Sequence, residues 1–258
     1  MEFAGIMDES IRKMTHRIAS VMGGSINSIW LYGSVVLKDF RLGWSDIDFL
    51  VLTEGEITES QAQELLMLRQ TMLEEEPDNP YYRSFEGVIV SLPEYLSGRN
   101  TRLVYWGTSG QRITDDYRMD VFSAYELAEY GRCVFGKADR SIFRKPSRSE
   151  FVDAVREHYE SIRRYARETN EQLYSCGWLL DIARCIYTVR YGEVISKTQA
   201  GVWALRENLF EDESALRTTL AIRQNPTEYK ERAENKEWLC KLGPVVQQYA
   251  DVLEKELI

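Results

Sequence analysis

The sequence predicts an α+β protein in two parts. Residues 1–147 should form an N-terminal domain, a small mixed sheet with flanking helices, and residues 148–258 an all-α helical bundle. Three observations carry this. Short apolar runs of strand type alternate with helical periodicities as far as residue 136. Lys145-Pro-Ser-Arg148 then interrupts the pattern as a linker. Beyond it, every patterned segment repeats with the period of a helix, as in a bundle.

The elements follow in order. Residues 8–22 place Ile11, Met14, Ile18, Val21 and Met22 on one helical face, and Gly23-Gly24 end that helix. An apolar strand from Ile29 to Tyr32 runs into Gly33-Ser34, where a short helical segment begins. A second strand opens at Asp46-Ile47-Asp48 and ends at Leu52. Thr58 to about Glu75 reads as a helix with the capping box Thr58-x-x-Gln61, broken by Pro77-Asp78-Asn79-Pro80. Arg83 to Leu92 is a third strand, 115–131 a helix, and Cys133 to Gly136 a short extended piece. A second capping box, Ser147-x-x-Glu150, opens helices expected at 149–169, 171–191, 197–208, 212–224 and 237–257, with a further turn near 227–234. Gly192 closes the second of these and Ser196 caps the third.

Composition narrows the function classes. The chain carries a net charge of −9, which disfavours general nucleic-acid binding and suits a small polycationic substrate. Apolar runs are too short for a bilayer span, and the first residues lack a basic, then apolar, leader pattern. Cys133, Cys176, Cys185 and Cys240 are scattered and read as reduced thiols of a cytoplasmic protein. With only His16 and His158, a zinc site or a histidine triad is disfavoured, and neither a P-loop nor a dinucleotide-binding glycine pattern occurs.

The chemistry concentrates in residues 30–52. Residues i and i+2 of a strand share a face, so Asp46 and Asp48 project side by side while Ile47 points into the core. Two carboxylates this close repel unless a cation sits between them. The natural cation is Mg²⁺, a hard ion that takes one or two carboxylates plus phosphate oxygens. Gly33 lets the backbone approach a ligand, and the N–H groups of the helical turn begun by Ser34 suit a phosphate. Either feature alone is ordinary turn chemistry; in this order they describe a nucleoside-triphosphate site. Glu86 sits inside the third strand, where a charge is costly unless it has a partner or a task. It is the candidate general base toward a substrate hydroxyl, and also a candidate to complete the coordination of a second metal ion.

The strand, Gly-Ser, spacer, Asp-x-Asp, strand order resembles the signature of the nucleotidyltransferase superfamily related to DNA polymerase beta. Further on, Arg184-x-x-Tyr187-Thr188-x-x-x-Gly192-x-x-x-x-Lys197-x-x-Ala200-x-x-Trp203-Ala204 resembles the helical domain of the aminoglycoside adenylyltransferases that modify streptomycin and spectinomycin. The Phe85-Glu86-x-Val-Ile-Val strand is similar to the same family. The resemblance implies an N-terminal nucleotidyltransferase domain and a helical substrate-binding domain, with ATP as co-substrate. It implies Asp46 and Asp48 as Mg²⁺ ligands, Glu86 as base, and Ser34, Ser45 and Lys197 at the nucleotide phosphates. For the antibiotic, Trp106 and Trp178 are sugar-packing aromatics or core residues, and Asp181 is an acidic contact inside a helix. The expected partner is a small-molecule antibiotic, with neither nucleic acid nor membrane, on a monomer or weak homodimer. Two rival readings are a transferase acting on protein or RNA and a non-catalytic nucleotide-binding module. The Arg-x(4–6)-His spacing of the helical toxins that accompany some such enzymes is absent around both histidines, and the intact carboxylates oppose the second reading.

Overall fold

A computed structural model describes residues 5–99, 101–107 and 110–258. The chain forms two compact units: Met1–Lys38, Ser45–Met119 and Glu126–Arg144 make the first, while Asp39–Trp44, Asp120–Tyr125 and Lys145–Ile258 make the second.

The first unit follows the order α1 (Ile6–Met22), β1 (Ile26–Tyr32), α2 (Gly33–Val36), β2 (Ile47–Thr53), α3 (Glu59–Glu75), β3 (Phe85–Ser91), α4 (Leu92–Ser97), β4 (Leu103–Gly107) and β5 (Gly110–Thr114). It closes with the end of α5 (Val121–Tyr130) and with β6 (Arg132–Gly136). The six strands form one sheet in the order β5-β4-β3-β2-β1-β6. Only β2 and β3 run parallel, because α3 carries the chain back across the sheet between them; the other neighbours are antiparallel.

Strand alternation gives this sheet two different faces. One buries Trp30, Tyr32, Leu50, Leu52, Val88, Val90 and Leu103 against Leu127 and Ala128 of α5 and against Phe143. The other buries Ile29, Leu31, Phe49, Val51, Ile89 and Trp106, with the Trp106 indole donating to the Leu65 carbonyl of α3 at 3.1 Å. Gly87 lies in register between Phe49 and Trp106. A Cβ there would come within 2.0 Å of the Phe49 carbonyl oxygen. The bare backbone lets the two rings meet over it edge to face at 5.6 Å.

The second unit contains α6 (Arg148–Tyr165), α7 (Tyr174–Tyr191), α8 (Lys197–Arg206), α9 (Ser214–Gln224), α10 (Pro226–Tyr229), α11 (Ala233–Cys240) and α12 (Gly243–Leu257). Its core gathers around α7, whose Leu179, Ile182 and Ile186 are fully buried among Val155, Leu216, Val246 and Leu253. Among the described residues no helix is long and apolar enough to cross a membrane.

The capping boxes at Thr58, Ser147 and Ser196 form with Gln61, Glu150 and Gln199, and Gly192 ends α7 in the left-handed conformation. Three expectations need correcting. The segment 115–131 is helical only from Val121, because Asp120 accepts from the Ser123 backbone N–H at 3.0 Å and so starts the helix there. The helix expected at 237–257 is two helices, since Pro244 opens a new first turn and Gly243 lies against the end of α6. A Cβ on Gly243 would sit 2.0 Å from the Arg167 carbonyl oxygen. Finally, β4 and β5 were not expected at all.

Candidate active site

Asp46, Asp48 and Glu86 lie together at one end of the sheet. Asp48 pairs in register with Tyr32 on β1 and with Glu86 on β3, so the two acids are lateral neighbours on one face. Asp46 precedes β2 by one residue and shares the parity of Asp48, while Ile47 is fully buried on the opposite side. The Ser34 hydroxyl donates to the Asp46 carbonyl at 3.1 Å, which ties the turn of α2 to the start of β2. Ser45, just upstream, is buried.

Gly33 has a specific reason to be glycine. Its φ is +68°, and a Cβ would lie 2.0 Å from Asp48 Oδ2. The backbone and the carboxylate are thus packed together, so the Gly33-Ser34 turn and the Asp48 acid form one constellation. Gly33→Ala is expected to cost about 1–3 kcal/mol from backbone strain and to push the Asp48 carboxylate aside. Thermal unfolding should register the first effect and weakened Mg²⁺-dependent nucleotide binding the second.

Tyr105 completes this face, and the sequence reading missed it. Its hydroxyl donates to Glu86 Oε1 at 2.6 Å. Burial pushes the phenol up to about 12, helped by the hydrogen bond to Glu86, so it stays a donor at neutral pH. The missing signal is strand parity: with β4 unassigned, nothing showed that Tyr105, paired to Val88, falls on the face of Glu86. The same parity corrects Trp106, which pairs with Gly87 and is fully buried on the opposite face. It is a core residue and has no surface to offer a sugar.

In the second unit, Asp181 on α7 accepts from Lys197 Nζ at 3.1 Å and lies 3.5 Å from Arg184 Nη2. Burial alone would raise the Asp181 carboxyl, but Lys197 and Arg184 outweigh it and hold it below the ordinary range. His158 is lowered mainly by its own burial and lies tilted against Trp178, at 5.7 Å between centroids. Trp178 is buried, with Tyr174 at 4.7 Å, and packs in the helical core, which agrees with the second of its two readings. Lys197, in the first turn of α8, has Asp181 as its partner here.

A second network went unseen in the sequence. Asp39, within the spacer between Ser34 and Asp46, belongs to the helical unit. Its carboxylate lies 2.8 Å from Arg223 Nη2 and accepts from the Thr198 backbone N–H at 3.1 Å, at the N-terminus of α8. Arg223 also donates to the Asp39 carbonyl and the Thr198 hydroxyl, and its guanidinium lies over the Trp44 ring. Burial alone would raise the Asp39 carboxyl, but Arg223 and Thr198 outweigh it and leave it lowered. Nothing in the residue type distinguishes this buried aspartate from a solvated loop acid.

Metal fit follows from the donor set. Asp46 and Asp48 offer hard oxygen ligands on one face, the kind Mg²⁺ prefers. Among the described residues no group of three His, Cys, Asp or Glu side chains converges as a ready-made metal cage.

Two family models match the chain: the nucleotidyltransferase domain over residues 15–83, which contains the Gly-Ser turn and both aspartates, and the aminoglycoside adenylyltransferase C-terminal domain over 141–248, which contains Asp181 and Lys197. The protein is therefore a nucleotidyltransferase enzyme. It belongs with the aminoglycoside adenylyltransferases. Its fold is similar to that of spectinomycin adenyltransferase AAD(9) from Enterococcus faecialis, whose crystal structure contains ATP and spectinomycin. The TM-score is 0.70 at 16% identity, over 95% of this chain and 98% of that one. No curated protein sequence matches the chain.

Proposed function

We propose that the protein transfers AMP from ATP, with Mg²⁺, to a hydroxyl of an aminoglycoside-type antibiotic, streptomycin or spectinomycin, and releases pyrophosphate, thereby conferring resistance. The observation that carries this reading is the packing of the Asp48 carboxylate directly on Gly33, beside Glu86 in register. It makes one compact constellation from a phosphate turn, a metal-binding acid and a base.

In this reading Gly33 and Ser34 seat the triphosphate, with Ser45 close by in sequence. Asp46 and Asp48 hold the metal ion, which when bound would neutralise phosphate charge. Glu86 takes the proton of the attacking hydroxyl as its oxygen bonds to the α-phosphorus. The bond from that phosphorus to pyrophosphate breaks, and the electron pair leaves with pyrophosphate. Positioning and charge neutralisation would supply most of the acceleration. On the helical unit, Asp181 is assigned to a cationic group of the antibiotic and Lys197 to the nucleotide phosphates. Their ion pair supports this only as an available pair of opposite charges that ligands can exchange for new partners. The net charge of −9 supports a cationic small molecule over nucleic acid as acceptor.

Glu86→Gln tests the role of the base. The amide preserves shape but cannot accept the proton, so turnover should fall roughly 10²–10⁴-fold while nucleotide and antibiotic still bind. If calorimetry found Mg–ATP binding lost, Glu86 would instead be a metal ligand.

A further inference from the structure

We infer that Tyr105 is a positioning residue for Glu86: its hydroxyl holds Oε1 and thereby presents Oε2 to the attacking hydroxyl of the substrate. The inference rests on the reading of Glu86 as base and deepens it.

A glutamate at the end of a strand has three side-chain torsions, and a base acts only within hydrogen-bond reach of its proton. Something must select one rotamer. Tyr105 is placed to do so from the neighbouring strand, one pair along from Glu86 on the same face, a diagonal that an aromatic side chain can span. Its own mount is rigid. A Cβ on Gly107 would sit 2.3 Å from the Tyr105 hydroxyl and 2.4 Å from ring atom Cε1, so the glycine makes room for the ring. The Gly107 carbonyl is in turn bound by the buried guanidinium of Arg69 on α3. On β5, Arg112 lies over the Tyr105 ring at 4.2 Å, and Tyr117 flanks it at 6.3 Å between centroids. The chain of support runs from a buried arginine through a glycine and a clamped ring to one oxygen of the base. A half-buried tyrosine needs only some polar partner for its hydroxyl; this one uses the site's own carboxylate.

Two variants and a double-mutant cycle test the inference. Tyr105→Phe should lower kcat about 10- to 100-fold, the rate equivalent of one hydrogen bond to a charged group, with KM for ATP and antibiotic nearly unchanged. Gly107→Ala keeps the hydroxyl but crowds its ring, and should lower kcat in the same way. In the Glu86→Gln background, Tyr105→Phe should cost little further, because the group it positions no longer functions. A wild-type kcat for Tyr105→Phe, or the same factor lost with and without Glu86, would overturn the positioning role. Wild-type turnover by Glu86→Gln alone would overturn the base assignment instead, so the two failures are distinguishable.

Discussion

Replacing Asp48 with asparagine is expected to reduce AMP transfer by on the order of 10³-fold or more while the sheet stays folded, because the metal's charge stabilisation is worth several kcal/mol in the transition state. The substitution keeps side-chain volume, so the packing of this group against Gly33 survives, and only the anionic oxygen is lost. Asp46→Asn should behave similarly. Because Asp48 packs on the Gly33-Ser34 turn proposed to seat the phosphates, its variant should also lose Mg²⁺-dependent nucleotide binding. Steady-state turnover at saturating Mg²⁺, with circular dichroism as the fold control, measures the first effect. Near-wild-type rates in both variants would remove the metal from this pair of carboxylates.

The largest stability effect is expected at Arg223. Changing it to methionine keeps most of the apolar bulk but takes the nearer of two guanidiniums from the buried Asp39 carboxylate and leaves it Arg41 at 3.7 Å; Asp39 and Arg223 are both at most 3% exposed. Breaking one partner of a buried ion pair typically costs about 3–5 kcal/mol, whereas replacing both is far milder. Urea unfolding should therefore show Arg223→Met strongly destabilised and the double change Asp39→Asn with Arg223→Met substantially recovered. The pH dependence has a definite sign. The folded-state Asp39 carboxyl lies below its ordinary value, so the pair's contribution is present above the unfolded carboxylate value and is lost as pH falls through the folded one. The gap between wild type and Arg223→Met should narrow in that acid window.

The parts of this molecule legible in the sequence are those written in local chemistry. Thr58, Ser147 and Ser196 announce helix starts because a side-chain oxygen must satisfy exposed N–H groups, and each does so. Asp46, Ile47 and Asp48 reveal their faces by alternation, and the register partnership of Asp48 with Glu86 brings the two acids into one cluster. What stayed hidden depends on long-range pairing. The segment Leu103-Val-Tyr-Trp-Gly107 has strand character but no flanking cue to its parity, so Trp106 stays open between sugar contact and core and Tyr105 goes unnoticed. Pairing with β3 puts Trp106 in the core and Tyr105 beside Glu86. Asp39 was equally silent, because its significance comes from an arginine 184 residues away in the chain. A spacer between two motifs thus proves to be anchored through a buried ion pair.

Transfer of AMP by this constellation to an antibiotic hydroxyl would be seen most simply by mass spectrometry of the acceptor. Purified protein would be incubated with Mg–ATP and, separately, streptomycin, spectinomycin, other aminoglycosides and a lincosamide, with pyrophosphate release followed in parallel. Streptomycin or spectinomycin should gain the mass of one AMP, in equal amount to the pyrophosphate released, and the Asp48→Asn protein should yield neither product. Pyrophosphate release without an AMP adduct on any antibiotic, or AMP appearing on protein or RNA in its place, would contradict transfer to an antibiotic.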